Sequence, residues 1–213
     1  MADEAIKTPT VFLIDDDHVI RTTVSRALTK RAFTVQTFAS AAEFLAAYDS
    51  TKPGCLVLDY GLPEMNGLEL QLSLIEKKFS IPIIFISGHG GVPESVQAMK
   101  AGAVDFLEKP FRQHVLVECI NAAFEADRNA RETERNRQLE MQKFARLTTR
   151  EKEIATFMIA NPSNTASKEI GRELNISPRT VDHHRARILE KMDIGSVAEL
   201  IDLSIPHADP RNP

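Results

Sequence analysis

No stretch of this 213-residue chain approaches the ~20 consecutive apolar residues that cross a bilayer; the longest run, around Ile81 to Ile86, is interrupted by Pro82. No membrane-spanning helix is expected on that pattern. Cysteine is scarce: Cys55 and Cys119 are the only two, each inside an apolar stretch. That count excludes a disulfide framework and leads us to expect buried thiols in a reducing compartment. The opening MADEAIKTPT carries acidic residues and no apolar core, unlike a secretory signal, so a cytoplasmic protein is expected. What is there, 43% hydrophobic and 26% charged residues, is an ordinary globular composition rather than a disordered or collagen-like one. The length suits one large domain or two ordinary ones.

The net charge of −4 is unevenly spread. Residues 1–125 carry a net −5, residues 126–139 a net +1, and residues 140–213 balance. Within the last part, Lys168 to Lys191 holds six basic residues against four acidic ones. Such a local excess fits a phosphate-facing surface without requiring one.

Up to about residue 120, five short apolar runs alternate with amphipathic segments: Val11 to Ile14, Thr34 to Phe38, Cys55 to Leu58, Ile81 to Ile86 and Val104 to Leu107. This alternation predicts a five-stranded parallel, doubly wound α/β domain. Four runs lack polar alternation, as in strands covered on both faces, whereas Thr34 to Phe38 alternates and reads as an edge. Ser40 with Glu43 predicts a capped helix start, and Pro93 suits a first turn. From Arg112 a helical pattern turns almost wholly polar in ADRNARETERNRQLEMQKFAR, without Gly or Pro, which predicts a continuing helical linker over 126–144. This is either a spacer or a helical dimer contact. Beyond it the pattern is entirely helical, with starts at Thr148/Glu151, Ser177 and Ser196/Glu199. SKEIGRELNISPRTV reads as two helices joined near Asn175, a helix-turn-helix. The stretch from 207 to 213 is expected to be disordered.

Sheets of this class bind ligands beyond the carboxyl ends of their strands. Four of the five predicted strands end there in reactive groups: Asp15 and Asp16, Asp59, Ser87, and Lys109 with Pro110. Converging carboxylates repel one another and call for a cation, and oxygen-only ligands favour Mg2+. Singly, each residue has a plainer explanation: an aspartate capping the next helix, a serine closing a turn, a surface lysine.

Together, FLIDDD, the aspartate of LVLDYGLPEMNGLEL, the serine of IIFISGHG and the lysine-proline pair of AVDFLEKPF resemble the receiver domain of two-component response regulators, over roughly residues 9–125. The resemblance implies that Asp59 accepts a phosphoryl group from a sensor histidine kinase. It also implies that Asp16 and Asp59, with the Gly61 carbonyl, bind Mg2+ while Asp15 assists through water, and that Ser87 and Lys109 meet the phosphoryl oxygens. Phe106 falls on the family's aromatic switch position, with a plain core phenylalanine as the alternative, and the Lys109–Pro110 bond matches the family's cis peptide.

Along Thr180 to Met192, the side chains of Val181, Ile188, Leu189 and Met192 share one helical face, leaving His183, Ala186, Arg187 and Glu190 pointing away. A helix packed behind and exposed in front is either a surface helix of a bundle or one that lies in a major groove. LTTREKEIATFMI followed by SKEIGRELNISPRTVDHHRARILEKM resembles the LuxR-type, four-helix DNA-binding domain of NarL/FixJ regulators, over about 145–206. By position, Asp182, His183 and Ala186 are expected to face bases. Lys168, Arg179, Thr180 and Arg187 are expected at the backbone, Lys191 is a further expected DNA contact, and Arg185 is expected to pair internally. One departure is NPSNTAS, a longer connection without Gly where the family has a short glycine-containing turn; an altered or mobile join is expected there.

The combined expectation is a non-enzymatic, phosphorylation-gated regulator of transcription that dimerises on phosphorylation and engages promoter DNA and RNA polymerase. A phosphohydrolase would share the carboxylates but needs a general acid, and none is placed near Asp59. An adaptor that is never phosphorylated and binds protein is the remaining alternative.

Overall fold

The computed structural model describes residues 8–88 and 91–203; the stretch expected to be disordered lies outside them. In chain order the elements are β1 (Thr10–Ile14), α1 (His18–Thr29), β2 (Thr34–Phe38), α2 (Ala41–Ala47), β3 (Gly54–Asp59), α3 (Gly67–Glu76), β4 (Ile83–Ser87), α4 (Val92–Lys100), β5 (Asp105–Glu108), α5 (Gln113–Ala145), α6 (Thr149–Ala160), α7 (Ser167–Glu173), α8 (Pro178–Met192) and α9 (Val197–Asp202). The chain divides into two compact units, Met1–Arg131 and Glu132–Pro213.

The first unit is built on a parallel sheet of order β2-β1-β3-β4-β5. Successive side chains of a strand point to opposite faces, and the cores divide accordingly. Phe12, Ile14, Leu56, Leu58 and Phe85 pack with Phe44, Leu70, Leu74 and Ala98 of α2, α3 and α4. Val11, Leu13, Cys55, Val57, Ile84 and Ile86 pack with Leu28 of α1 and Leu116, Cys119, Ile120 and Ala123 of α5. Both cysteines are free and buried, and desolvation holds the thiol pKa of Cys55 well above its ordinary value.

β2 is an edge, as its alternation predicts. The last run corrects the sequence reading: β5 is the other edge, starting at Asp105, with only Leu107 buried. Its one strand neighbour is β4.

α5 is one helix of 33 residues. Its packing against the first unit continues past residue 125, because Asp127, 2% exposed, accepts the Gly54 N–H at 2.9 Å. Arg131 then grips both Asp127 oxygens at 2.9 Å and donates to the Ser50 and Lys52 carbonyls at 3.1 and 2.7 Å. A lone buried carboxylate is costly, and this one is fully engaged. The last turn of the same helix belongs to the second unit, where Phe144 and buried Leu147 join the core of Ile154, Met158, Ile170, Val181, Ile188, Met192 and Leu200.

The second unit is all α. Thr148 and Glu151 form the expected capping box on α6. The helix-turn-helix of α7 and α8 turns through Asn175 at φ 53°, and Gly171 allows the close approach, since a Cβ there would lie 2.7 Å from the Ile176 carbonyl oxygen. The long connection before α7 is pinned: Asn161 closes α6 onto the Phe157 carbonyl, Asn164 N–H donates to Asn161 at 2.9 Å, and Arg185 donates to the Thr165 carbonyl at 3.0 Å.

Candidate functional site

The parallel sheet brings the ends of β1, β3, β4 and β5 to one rim. Asp59 is the last residue of β3 and Ser87 the last of β4, while Asp15 follows β1 directly. Asp15 is fully buried, Asp59 is 8% exposed and Ser87 3%; Asp16 is exposed. One carboxylate oxygen from each of Asp15, Asp16 and Asp59 lies within 4.8 Å of the others.

Lys109 bridges two of these carboxylates. Its Nζ donates to Asp15 Oδ2 at 2.8 Å and to Asp59 Oδ2 at 3.1 Å. The Lys109–Pro110 peptide is cis, as the resemblance implies. Burial pushes the Asp15 pKa up, and the hydrogen bond and charge of Lys109 offset this only in part. For Lys109 burial works against the charge, but the two carboxylates overcome it and hold the pKa above its ordinary value. The ammonium is therefore charged across the physiological range.

The neighbouring backbone completes the setting. Asp15 Oδ1 accepts the Asp17 N–H at 2.9 Å, and Asp59 Oδ1 accepts the Gly61 N–H at 3.2 Å. Gly67 starts α3 directly behind the site, where an added Cβ would lie 2.8 Å from the Asp59 carbonyl oxygen and 2.7 Å from the Phe85 ring. Phe106 is half-buried, with its ring centroid 6.0 Å from Tyr60 and 6.1 Å from Phe85.

Two residues the sequence reading passed over explain why the acidic pair is available. Asp17, not Asp15 or Asp16, caps α1 by accepting from the Val19 and Ile20 N–H groups. Arg21 donates to the Asp15 carbonyl at 2.5 Å and the Asp16 carbonyl at 3.3 Å, fastening the loop through its main chain. The run of three aspartates was the available signal for a cap at the third.

In the second unit Lys168, Arg179, Thr180, His183, Ala186 and Arg187 are all exposed. Arg185 pairs internally, with the Thr165 carbonyl and with Ser167 Oγ at 3.1 Å. Two of the residues expected at DNA also have partners within the unit. Asp182, placed at the bases, accepts a hydrogen bond from Ser167 Oγ and so ties α8 to the start of α7. Lys191, also expected at DNA, donates at 2.6 Å to Glu151, which is 2% exposed. A buried carboxylate demands a cation, and Lys191 supplies it. Desolvation works against the Glu151 charge, but Lys191 and the Thr148 hydrogen bonds prevail and hold its pKa down at about 2.

A phosphoacceptor-like rim on a parallel sheet, joined to a helix-turn-helix unit, defines a class of signalling protein, and comparison with known families agrees. Residues 11–121 match the response regulator receiver domain, and residues 145–204 match the luxR family of bacterial regulatory proteins. The chain belongs to the response regulators that carry a LuxR-type DNA-binding domain, the NarL/FixJ type. It is 39% identical over 192 residues to the transcriptional regulatory protein TdiR of Thauera aromatica, covering 90% of this chain and 83% of that one. It is likewise 39% identical over 202 residues to the transcriptional regulatory protein FixJ of Rhizobium meliloti (strain 1021), covering 92% and 95%. The structure of the response regulator StyR superposes with a TM-score of 0.76 at 38% identity, covering 92% of this chain and 98% of that one. TdiR and FixJ are named as transcriptional regulatory proteins and StyR as a response regulator. Among the described residues, no helix is long and apolar enough to cross a membrane.

Proposed function

We propose that the protein is a phosphorylation-gated transcription regulator in which Asp59 takes a phosphoryl group from a sensor histidine kinase. The observation that carries this reading is the double bridge of Lys109 to Asp15 and Asp59 beside a third carboxylate. An Asp59 oxygen forms the new bond to phosphorus as the phosphorus–nitrogen bond of the donor's phosphohistidine breaks and the imidazole leaves. Lys109 holds a positive charge where the phosphoryl oxygens arrive, and Ser87 offers its hydroxyl at the same rim.

Three hard oxygen donors within 4.8 Å suit Mg2+, with Asp15, Asp16, Asp59 and the Gly61 carbonyl as the groups that would hold it. Bound there, the ion supplies charge neutralisation for the incoming phosphoryl group.

The phosphoryl group adds charge of about −1.5 to −2 at pH 7, so Lys109 exchanges its carboxylate partners for a stronger acceptor. The rearrangement reaches Phe106, whose ring rests on Tyr60 and Phe85 beside the same strand ends. The face of α4, β5 and α5 is the surface on which two phosphorylated receivers would meet. On α4, Val92, Val96 and Met99 recur at helical spacing and are 76%, 43% and 45% exposed. Dimerisation then makes the second DNA contact intramolecular, which raises occupancy at paired half-sites. RNA polymerase is the downstream partner in this scheme.

A mobility shift with promoter DNA, with and without a small phosphodonor, tests the whole chain of events. Tighter binding with the donor, lost in Asp59→Asn, is the expected result; identical affinity in both conditions contradicts it.

A further inference from the structure

The end of the linker helix stands beside the recognition helix in a way the helix-turn-helix alone does not require. Lys143, Arg146, Arg187, Glu190, Lys191 and Asp193 line an open cleft of about 570 Å³ within the second unit. Two of its cations are already matched: Lys143 pairs with Asp193 at 3.3 Å, and Lys191 with Glu151 at 2.6 Å. Arg146 and Arg187 are exposed, and neither has an ion-pair partner among the described residues. Their placement is firm, because Phe144 and Leu147 on either side of Arg146 belong to the core, and the Lys143–Asp193 pair joins the last turn of α5 to the end of α8.

Helix dimensions say what could fill the cleft. At 1.5 Å per residue the 15 residues of α8 extend ~22 Å, whereas a major groove is ~12 Å wide. A helix that reads bases through its first turns therefore carries its last turns to the groove wall, where the phosphates are. Arg187 lies one turn beyond His183 on the exposed face, so the cleft continues that surface.

We propose that Arg146, at the end of α5, and Arg187, on α8, form a two-armed phosphate clamp, so that the linker helix contributes directly to DNA binding. The clamp rests on the reading of α8 as the DNA-facing helix. Its contacts are to phosphate and carry no base information. Glu190, the one lining carboxylate not already paired with a cation, opposes the clamp.

The test is the affinity of the full-length protein for a scrambled duplex of about 30 base pairs, measured between 50 and 200 mM KCl. Arg146→Ala is expected to weaken binding by roughly tenfold, equally for scrambled and promoter duplexes, and to lower the salt slope by about 1. Glu190→Gln is expected to strengthen it. Unchanged affinity and slope in Arg146→Ala, with binding impaired in Arg187→Ala, overturns the clamp and leaves the DNA-facing role of α8 intact. Indifference to both Arg187→Ala and His183→Ala overturns that role as well. Titration with pyrophosphate separates the other source of the same chemistry: binding that Arg146→Ala abolishes, while duplex affinity is unchanged, assigns the cleft to a small phosphorylated ligand and overturns the proposal.

Discussion

In the proposed function the rim of the receiver sheet and the exposed face of α8 would both meet phosphate, yet they are built on opposite terms. At the rim, residues far apart in sequence are buried together, and Lys109 has two carboxylate partners. On α8, Arg179, His183 and Arg187 come from one short segment and face outward. Buried, mutually paired charges act as a unit, so removing one disturbs the others. Exposed charges act almost independently and are screened by salt. The first arrangement suits a switch with two states; the second suits graded affinity.

Lys109→Met should break the first arrangement most severely. Acetyl phosphate should label Asp59 roughly 10²-fold more slowly, the scale for losing one preorganised charge at a reacting centre; a labelling time course checks this. Core packing is the next largest effect. Ile188→Ala, behind the exposed face of α8 and fully buried, should cost about 3 kcal/mol in denaturant unfolding of the second unit.

Glu151 sharpens the comparison, because it is a buried pair inside the otherwise surface-charged unit. Despite desolvation, its pKa is held down at about 2 in the folded protein by Lys191 and the Thr148 hydrogen bonds, against an ordinary 4.5. The folded state therefore binds the proton less readily than the unfolded state. The stabilisation is complete above about pH 4.5 and is lost as pH falls toward 2. Glu151→Gln should lower stability at pH 7 by about 1–2 kcal/mol and flatten the acid side of the stability curve. Smallest for folding is Arg179→Ala, within about 0.5 kcal/mol by thermal unfolding, while DNA affinity drops roughly tenfold. A large loss of stability in that variant would erase the contrast between the two regions.

The rim was legible because topology does the work. Once five apolar runs imply a parallel sheet, residues after the runs must meet at one edge, and Asp15, Asp16, Asp59, Ser87 and Lys109 follow. What the sequence concealed were pairings that cross between elements without a periodic signature. Lys191 sits beside the positions expected to read DNA, yet its side chain turns back to Glu151, forty residues away. Asp182 likewise serves Ser167. The Asp127–Arg131 clasp looks like any i, i+4 surface pair until the Gly54 amide and the Ser50 and Lys52 carbonyls are seen against it. Asp17 was hidden in plain view, its capping role masked by two aspartates before it. Burial decides the Glu151 and Asp127 pairings, and burial of a charged residue is a tertiary fact; Asp182 and Asp17 stay exposed, and their partners are set by which amides and hydroxyls the fold brings within reach.

The central claim is that Lys109 and its ring of carboxylates make Asp59 reactive toward phosphorus. Intact-mass measurement after incubation with acetyl phosphate and Mg2+ tests it directly. The account predicts a gain of about 80 daltons that vanishes in Asp59→Asn and when EDTA replaces the metal. No mass gain in the wild-type protein, or an equal gain in Asp59→Asn, would contradict it.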